Sequence, residues 1–137
     1  MSVDISHPSD PGRVLFSHSE LACQKSGQAI LADGFADKLA MLRVAFGQPM
    51  TVNSCCRSAE HNRDIGGHPR SLHVYDENPR GRSGCVAIDI RTSDTVYARR
   101  LVEAALREGW SVGVSKTFVH LDRRDFAGLP AGVFGYG

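Results

Sequence analysis

Long hydrophobic runs are missing from this chain. Nothing in its 137 residues approaches the roughly 20 apolar positions of a membrane helix, so no membrane span is expected. The opening residues, MSVDISHPSDPGR, lack the positive-then-apolar order of a signal peptide, so cytoplasmic synthesis is expected. An excess of one charge is missing too: 16 basic residues stand against 15 acidic ones, for a net charge of +1. That balance argues against a nucleic-acid partner. The four cysteines, Cys23, Cys55, Cys56 and Cys85, show no CxxC spacing. Without a secretion signal they do not read as a disulfide framework, and free buried thiols are expected. Repeats, low-complexity tracts and long linkers are absent, which leaves one domain over residues 1–137, expected as a monomer.

What the chain does have is an ordinary share of apolar residues, 42%, too many for disorder. Residues 1–16 read as an irregular arm. Ser17-His18-Ser19-Glu20 fits a capping box opening a short helix. Phe35, Leu39, Leu42 and Phe46 recur at helical spacing, so residues 34–46 form an amphipathic helix that Gly47 and Pro49 end. Residues 50–53 read as a strand, and 58–64 as a helical turn closed by Gly66-Gly67. A polar loop, YDENPRGRSG, covers 75–84. Val86, Ile88 and Ile90 then alternate with Ala87, Asp89 and Arg91, the period of a half-buried strand. Thr92 or Ser93 caps a helix over 94–108, with Val96, Leu101, Ala104 and Ala105 turned inward. Residues 111–115 and 118–123 give two strands, a hairpin turning near Ser115-Lys116. Helices precede most strands, so the fold class is α+β, with helices packed on a small antiparallel sheet.

The chemistry concentrates in three segments: His73 in SLH, Asp89 in CVAIDI and His120 in FVHLD. Two imidazoles and a carboxylate suit a catalytic zinc, Zn2+, with a coordination position left open. Strand periodicity puts Val119 and Leu121 on one face and His120 and Asp122 on the other, and turns Asp89 away from the aliphatics of its own strand. With the aliphatics in the core, Asp89, His120 and Asp122 share a surface facing a cleft, and His73 enters from the preceding loop. Arg70, Arg80, Arg82, Arg123 and Arg124 read either as solvated surface or as a rim attracting an anionic polymer.

The text NSCCRSAEHNRDIGGHPRSLH, then CVAID, then FVHLD, resembles the peptidase M15 family of peptidoglycan metallopeptidases, from Phe16 to Asp122. That group includes D-Ala-D-Ala carboxypeptidases and phage endolysins and shares its fold with the hedgehog signalling domain. The family runs SGYRSPEHN…GG…S into SxHxxGxAxD and a later xxH. The resemblance implies a hedgehog/DD-peptidase-like fold, zinc ligands at His73, Asp89 and His120, and a substrate-binding arginine at Arg57. It implies cleavage of a peptide bond in the stem or cross-link peptides of bacterial cell wall, in a phage-encoded enzyme released to the wall or carried in a virion. Without the resemblance, Arg57 would read as a partner of Glu60 or Asp64.

Three departures stand out. His73 and Asp89 are farther apart than in SxHxxGxAxD, and a Pro- and Gly-bearing polar loop absorbs such an extension at small entropic cost. Cys85 stands where the pattern has Gly, and Cys55-Cys56 replace Gly-Tyr; Cys85 reads as a small buried packer or as a thiol within reach of a metal. The positions where many members carry a general base hold Thr117 and Phe118, which cannot take a proton. Asp122 is the replacement candidate, either as the proton carrier or as the group that holds an imidazole in place; Asp76 and Glu77 are weaker rivals. Two other functions remain open: a domain that binds peptidoglycan without cutting it, and a structural component of a phage particle.

Overall fold

The computed structural model describes residues 3–77 and 82–136. Arg80 and part of the polar loop therefore lie outside the described residues. Two strands, β1 (Ile5–His7) and β2 (Asp10–Phe16), pair antiparallel in a small sheet of their own. Here the expectation of an irregular arm is corrected. Ile5 faces Phe16, and both are buried at the end of the pair away from its turn. The rest of β2 is largely exposed, so it carries no alternating pattern.

Ser17 opens α1 (His18–Leu21) with the full capping box expected of it: its side chain accepts from the Glu20 amide, and Glu20 reaches back to the Ser17 amide. Helix α2 (Phe35–Phe46) buries Phe35, Leu39, Leu42 and Phe46, and Gly47 ends it in the left-handed conformation at φ 75°. Helix α3 (Ala59–Asp64) starts at Ser58, whose hydroxyl accepts from the His61 amide at 3.1 Å. Helix α4 (Thr95–Arg107) is capped by Asp94, not Thr92 or Ser93; its carboxylate accepts from the Tyr97 amide at 2.8 Å. Tyr97, one turn before Leu101, shares its inward stripe and packs on Phe46 with ring centroids 5.0 Å apart. Val96, expected inside, is exposed.

The main sheet joins β3 (Thr51–Ser54), β4 (Ala87–Arg91), β5 (Ser111–Val114), β6 (Phe118–Asp122) and β7 (Val133–Gly135) in the order β3-β4-β6-β5-β7. The first four strands pair antiparallel as expected, and β7 adds a parallel edge beside β5. The protein is α+β, with this mixed sheet and the small antiparallel one. Ile88, Ile90, Val119 and Leu121 are fully buried on one face of the sheet, in the same core as α2 and α4. No helix among the described residues is long and apolar enough to cross a membrane.

Candidate metal centre

The register of β4 against β6 builds the site. Asp89 sits directly opposite His120, and Ala87 opposite Asp122. Paired positions in adjacent strands point the same way, so burying the aliphatics fixes Asp89 and His120 together on the other face. His120 Nδ1 lies 2.8 Å from Asp89 Oδ1, and His73 Nε2 lies 3.2 Å from the same oxygen.

His73 arrives on a loop that is zipped to the segment carrying Arg57. The Arg57 amide donates to the His73 carbonyl and the Tyr75 amide to the Arg57 carbonyl, both at 2.9 Å. Ser71 Oγ accepts from the His73 amide at 3.3 Å. Residue 57 therefore enters the site with residue 73, although the two are distant in sequence. Arg57 Nε donates to Ser54 Oγ at 3.2 Å and an Nη to Asn62 Oδ1 at 3.1 Å, while the other Nη stands 3.8 Å from Asp89 Oδ2. Asn62 is buried and also donates to the His68 carbonyl. Gly67 must stay small there, because a Cβ would come within 2.1 Å of Asn62 Oδ1.

The fit to a metal ion follows from the protons. His73 Nδ1 lies 2.7 Å from the Cys55 carbonyl, which can only accept, so Nδ1 carries the hydrogen. In the neutral ring, Nε2 then presents a lone pair toward Asp89 Oδ1, and this buried nitrogen has no hydrogen-bond partner among the described residues. His120 Nε2 lies 2.8 Å from Asp122 Oδ2, and donating there leaves Nδ1 facing Asp89. With both rings neutral, two ring lone pairs converge on one carboxylate oxygen, and the three ligand atoms lie within 4.8 Å of one another. A cation satisfies all three. Without one, a proton must serve. Burial opposes charge on His120, but hydrogen bonds with Asp122 and Asp89 raise its pKa to about 9. Burial likewise opposes charge on Asp89, and its two histidine neighbours hold its pKa well below the usual carboxylate range.

Asp122 is not where the strand pattern alone suggested. It shares the face of His120 but does not open to the cleft: its exposure is 0%. Oδ2 takes His120 Nε2 and Arg124 Nη, each at 2.8 Å, and Oδ1 takes the Arg124 amide and Nε, each at 3.0 Å. The carboxylate therefore sits across the imidazole ring from Asp89. Burial works against its charge, and His120 and Arg124 outweigh burial to lower its pKa.

The trio opens into a cleft of about 620 Å3 whose wall includes Arg57, His68, Arg70, Arg124, Phe134 and Tyr136. A neighbouring hollow of about 300 Å3 shares Arg57 but none of the trio. Phe134 and Tyr136 pack over His120, with ring centroids 5.7 and 6.4 Å away. Sequence reasoning missed both, and His68 as well; a three-residue strand is too short to show a period. Of the arginines read as a rim, Arg70 and Arg124 line the cleft. Arg82 instead braces the carbonyls of Leu72, Val74 and Gly84, and Arg123 is buried near the rings of Trp110 and Phe126. Asp76 accepts the Ala59 amide and Glu77 pairs with Arg63, so neither lines the cleft.

A family model described as Peptidase M15 matches residues 14–122. The match includes the trio, Arg57 and Asp122 and leaves out Phe134 and Tyr136. No curated protein and no solved structure matches the chain.

Proposed function

The chain belongs to the peptidase M15 family, a family of metal-dependent peptidases, and from that premise we propose that it is a zinc hydrolase cutting a peptide bond in the stem or cross-link peptides of bacterial peptidoglycan. The observation that carries this reading is the convergence of His73 Nε2 and His120 Nδ1 on Asp89 Oδ1 at the floor of an open cleft. Zinc suits two imidazole nitrogens and one carboxylate. When bound, it supplies Lewis-acid polarisation of a carbonyl and acidification of water.

The chain's own residues divide the remaining work. His73 and His120 are held in single tautomers by the Cys55 carbonyl and by Asp122, so both present lone pairs to the same point. Asp122 is a positioning residue in this account: burial and Arg124 occupy it fully, which favours the ring-holding role over proton carriage. Arg57 spends two of its five N–H donors on Ser54 and Asn62 and keeps the rest for a substrate carboxylate. Arg70 adds positive charge to the same wall, as an anionic stem peptide requires, while the charge of Arg124 is spent on Asp122. Phe134 and Tyr136 cover His120 and limit its contact with water. The work is that of one domain acting as a monomer.

One observation favours a second reading, a domain that binds peptidoglycan and a metal without hydrolysis. Asp89 is the only carboxylate in the cleft wall among the described residues, and the proposal makes it a ligand. Purified muropeptides incubated with the protein, with and without a zinc chelator, separate the two by mass spectrometry. Chelator-sensitive fragments are expected, and their masses name the bond. Intact muropeptides from folded, zinc-loaded protein leave the binding reading in place.

A further inference from the structure

Behind the loop that carries Arg57 lies a second cluster that the peptidase reading does not use. Cys55, Cys56 and Cys85 are all buried, with their sulfurs within 4.8 Å of one another. Cys85 Sγ is 3.9 Å from Cys55 Sγ and 2.9 Å from Cys56 Sγ. Adjacent side chains of an extended strand point to opposite faces. Here both members of an adjacent pair reach the same sulfur, because β3 ends at Ser54 after a register shift. We propose that Cys55, Cys56 and Cys85 form a buried three-thiolate site for a thiophilic d10 cation such as zinc, separate from the His73–Asp89–His120 centre.

Geometry and charge both support such a site. Sulfurs about 2.3 Å from a shared ion stand roughly 3.7–4.0 Å apart, by trigonometry for tetrahedral or trigonal geometry. The Cys55–Cys85 separation already matches, and the Cys56–Cys85 pair, closer than two unbonded sulfurs prefer, has to open by about 1 Å. All three are free thiols in the structure. Three thiolates around a divalent ion leave one negative charge, costly in a core unless a cation stands near. Arg82 stands beside the cluster, donating at 3.0 Å to the carbonyl of Gly84, the residue before Cys85. Cys23 is outside the cluster; its sulfur is 3.7 Å from Ser58 Oγ. The two sites share residue 55, whose carbonyl holds His73 and whose sulfur would hold the second ion.

Cadmium titrated into the reduced, metal-free chain tests this directly, because cadmium–thiolate bonds give a near-ultraviolet charge-transfer band and cadmium bound to imidazole and carboxylate does not. The expected result is a band that saturates with one equivalent at the thiol site. It persists in a His73→Ala/His120→Ala variant, which loses the other site and any hydrolysis. It disappears in Cys85→Ser. Should Cys85→Ser fail to fold, the wild-type spectrum and a Cys56→Ser variant decide. A wild-type protein that takes up cadmium with no thiolate band overturns the proposal. So does a band unchanged in folded Cys56→Ser or Cys85→Ser, or ready air oxidation to a species two mass units lighter that refuses cadmium.

Discussion

The two faces of β4 and β6 are made from alternate residues of the same strands, yet they do opposite things. Ile88, Ile90, Val119 and Leu121 on one face are fully buried and interchangeable in kind: any close-packed aliphatic set would hold the sheet. Asp89, His120 and Asp122 on the other face are also largely hidden from water, but each is tied to named partners through specific atoms. Burial alone does not tell the two faces apart. The difference is directional: the aliphatic face tolerates exchange, and the polar face depends on which ring nitrogen meets which oxygen.

The largest expected effect breaks the aliphatic face. Leu121→Ala should cost about 2–5 kcal/mol of folding stability in urea titration, while the folded fraction keeps its zinc stoichiometry. Asp89→Asn should do the reverse. Equilibrium dialysis should show zinc affinity reduced by more than about 100-fold, beyond what losing a supporting partner costs, with the fold retained. Asp122→Asn sharpens the comparison on the polar face. Loss of the carboxylate that orients His120 should weaken zinc by about 10–100-fold and bring the His120 pKa down from about 9, read by histidine NMR of the metal-free protein.

The pH dependence follows from the same residue. In the metal-free protein, His120 is protonated up to about pH 9, above its ordinary 6.5. Zinc must displace that proton, so its affinity should rise about tenfold per pH unit from neutrality toward that value. The stability that protonated His120 gives the metal-free fold is complete below pH 6.5 and is lost as pH rises through about 9, because over that span the unfolded chain binds fewer protons. Thermal melts with and without zinc should therefore diverge as pH increases. The smallest effect lies away from both faces: Ser58→Ala should remove the cap of α3 at about 1 kcal/mol.

The polar face was legible in the sequence because period two is a strong constraint. Once Val119 and Leu121 are inside, His120 must be on the other side, and the β4 alternation does the same for Asp89. The helix of Phe35, Leu39, Leu42 and Phe46 was legible for the matching reason at period 3.6. What periodicity cannot convey is which nitrogen of a ring is free, so the place of Asp122 behind His120 shows only in the folded structure. Nor does it report short elements. β1 shows one buried residue and β7 none, so the hairpin passed for an irregular arm and the Phe134–Tyr136 cover went unseen. The helix cap slipped because Thr92, Ser93 and Asp94 are all competent caps, and only the structure shows that Asp94 accepts the Tyr97 amide.

The central claim is that His73 Nε2, Asp89 and His120 Nδ1 converge on one metal ion, with Asp122 fixing the ring from behind. Diffraction from zinc-loaded crystals, with anomalous data collected at the zinc edge, tests it most directly. An anomalous peak is expected among those three atoms, with His120 Nε2 still bonded to Asp122. A peak bonded to His120 Nε2 with Asp122 displaced, or fully loaded crystals with no peak among the trio, would contradict it.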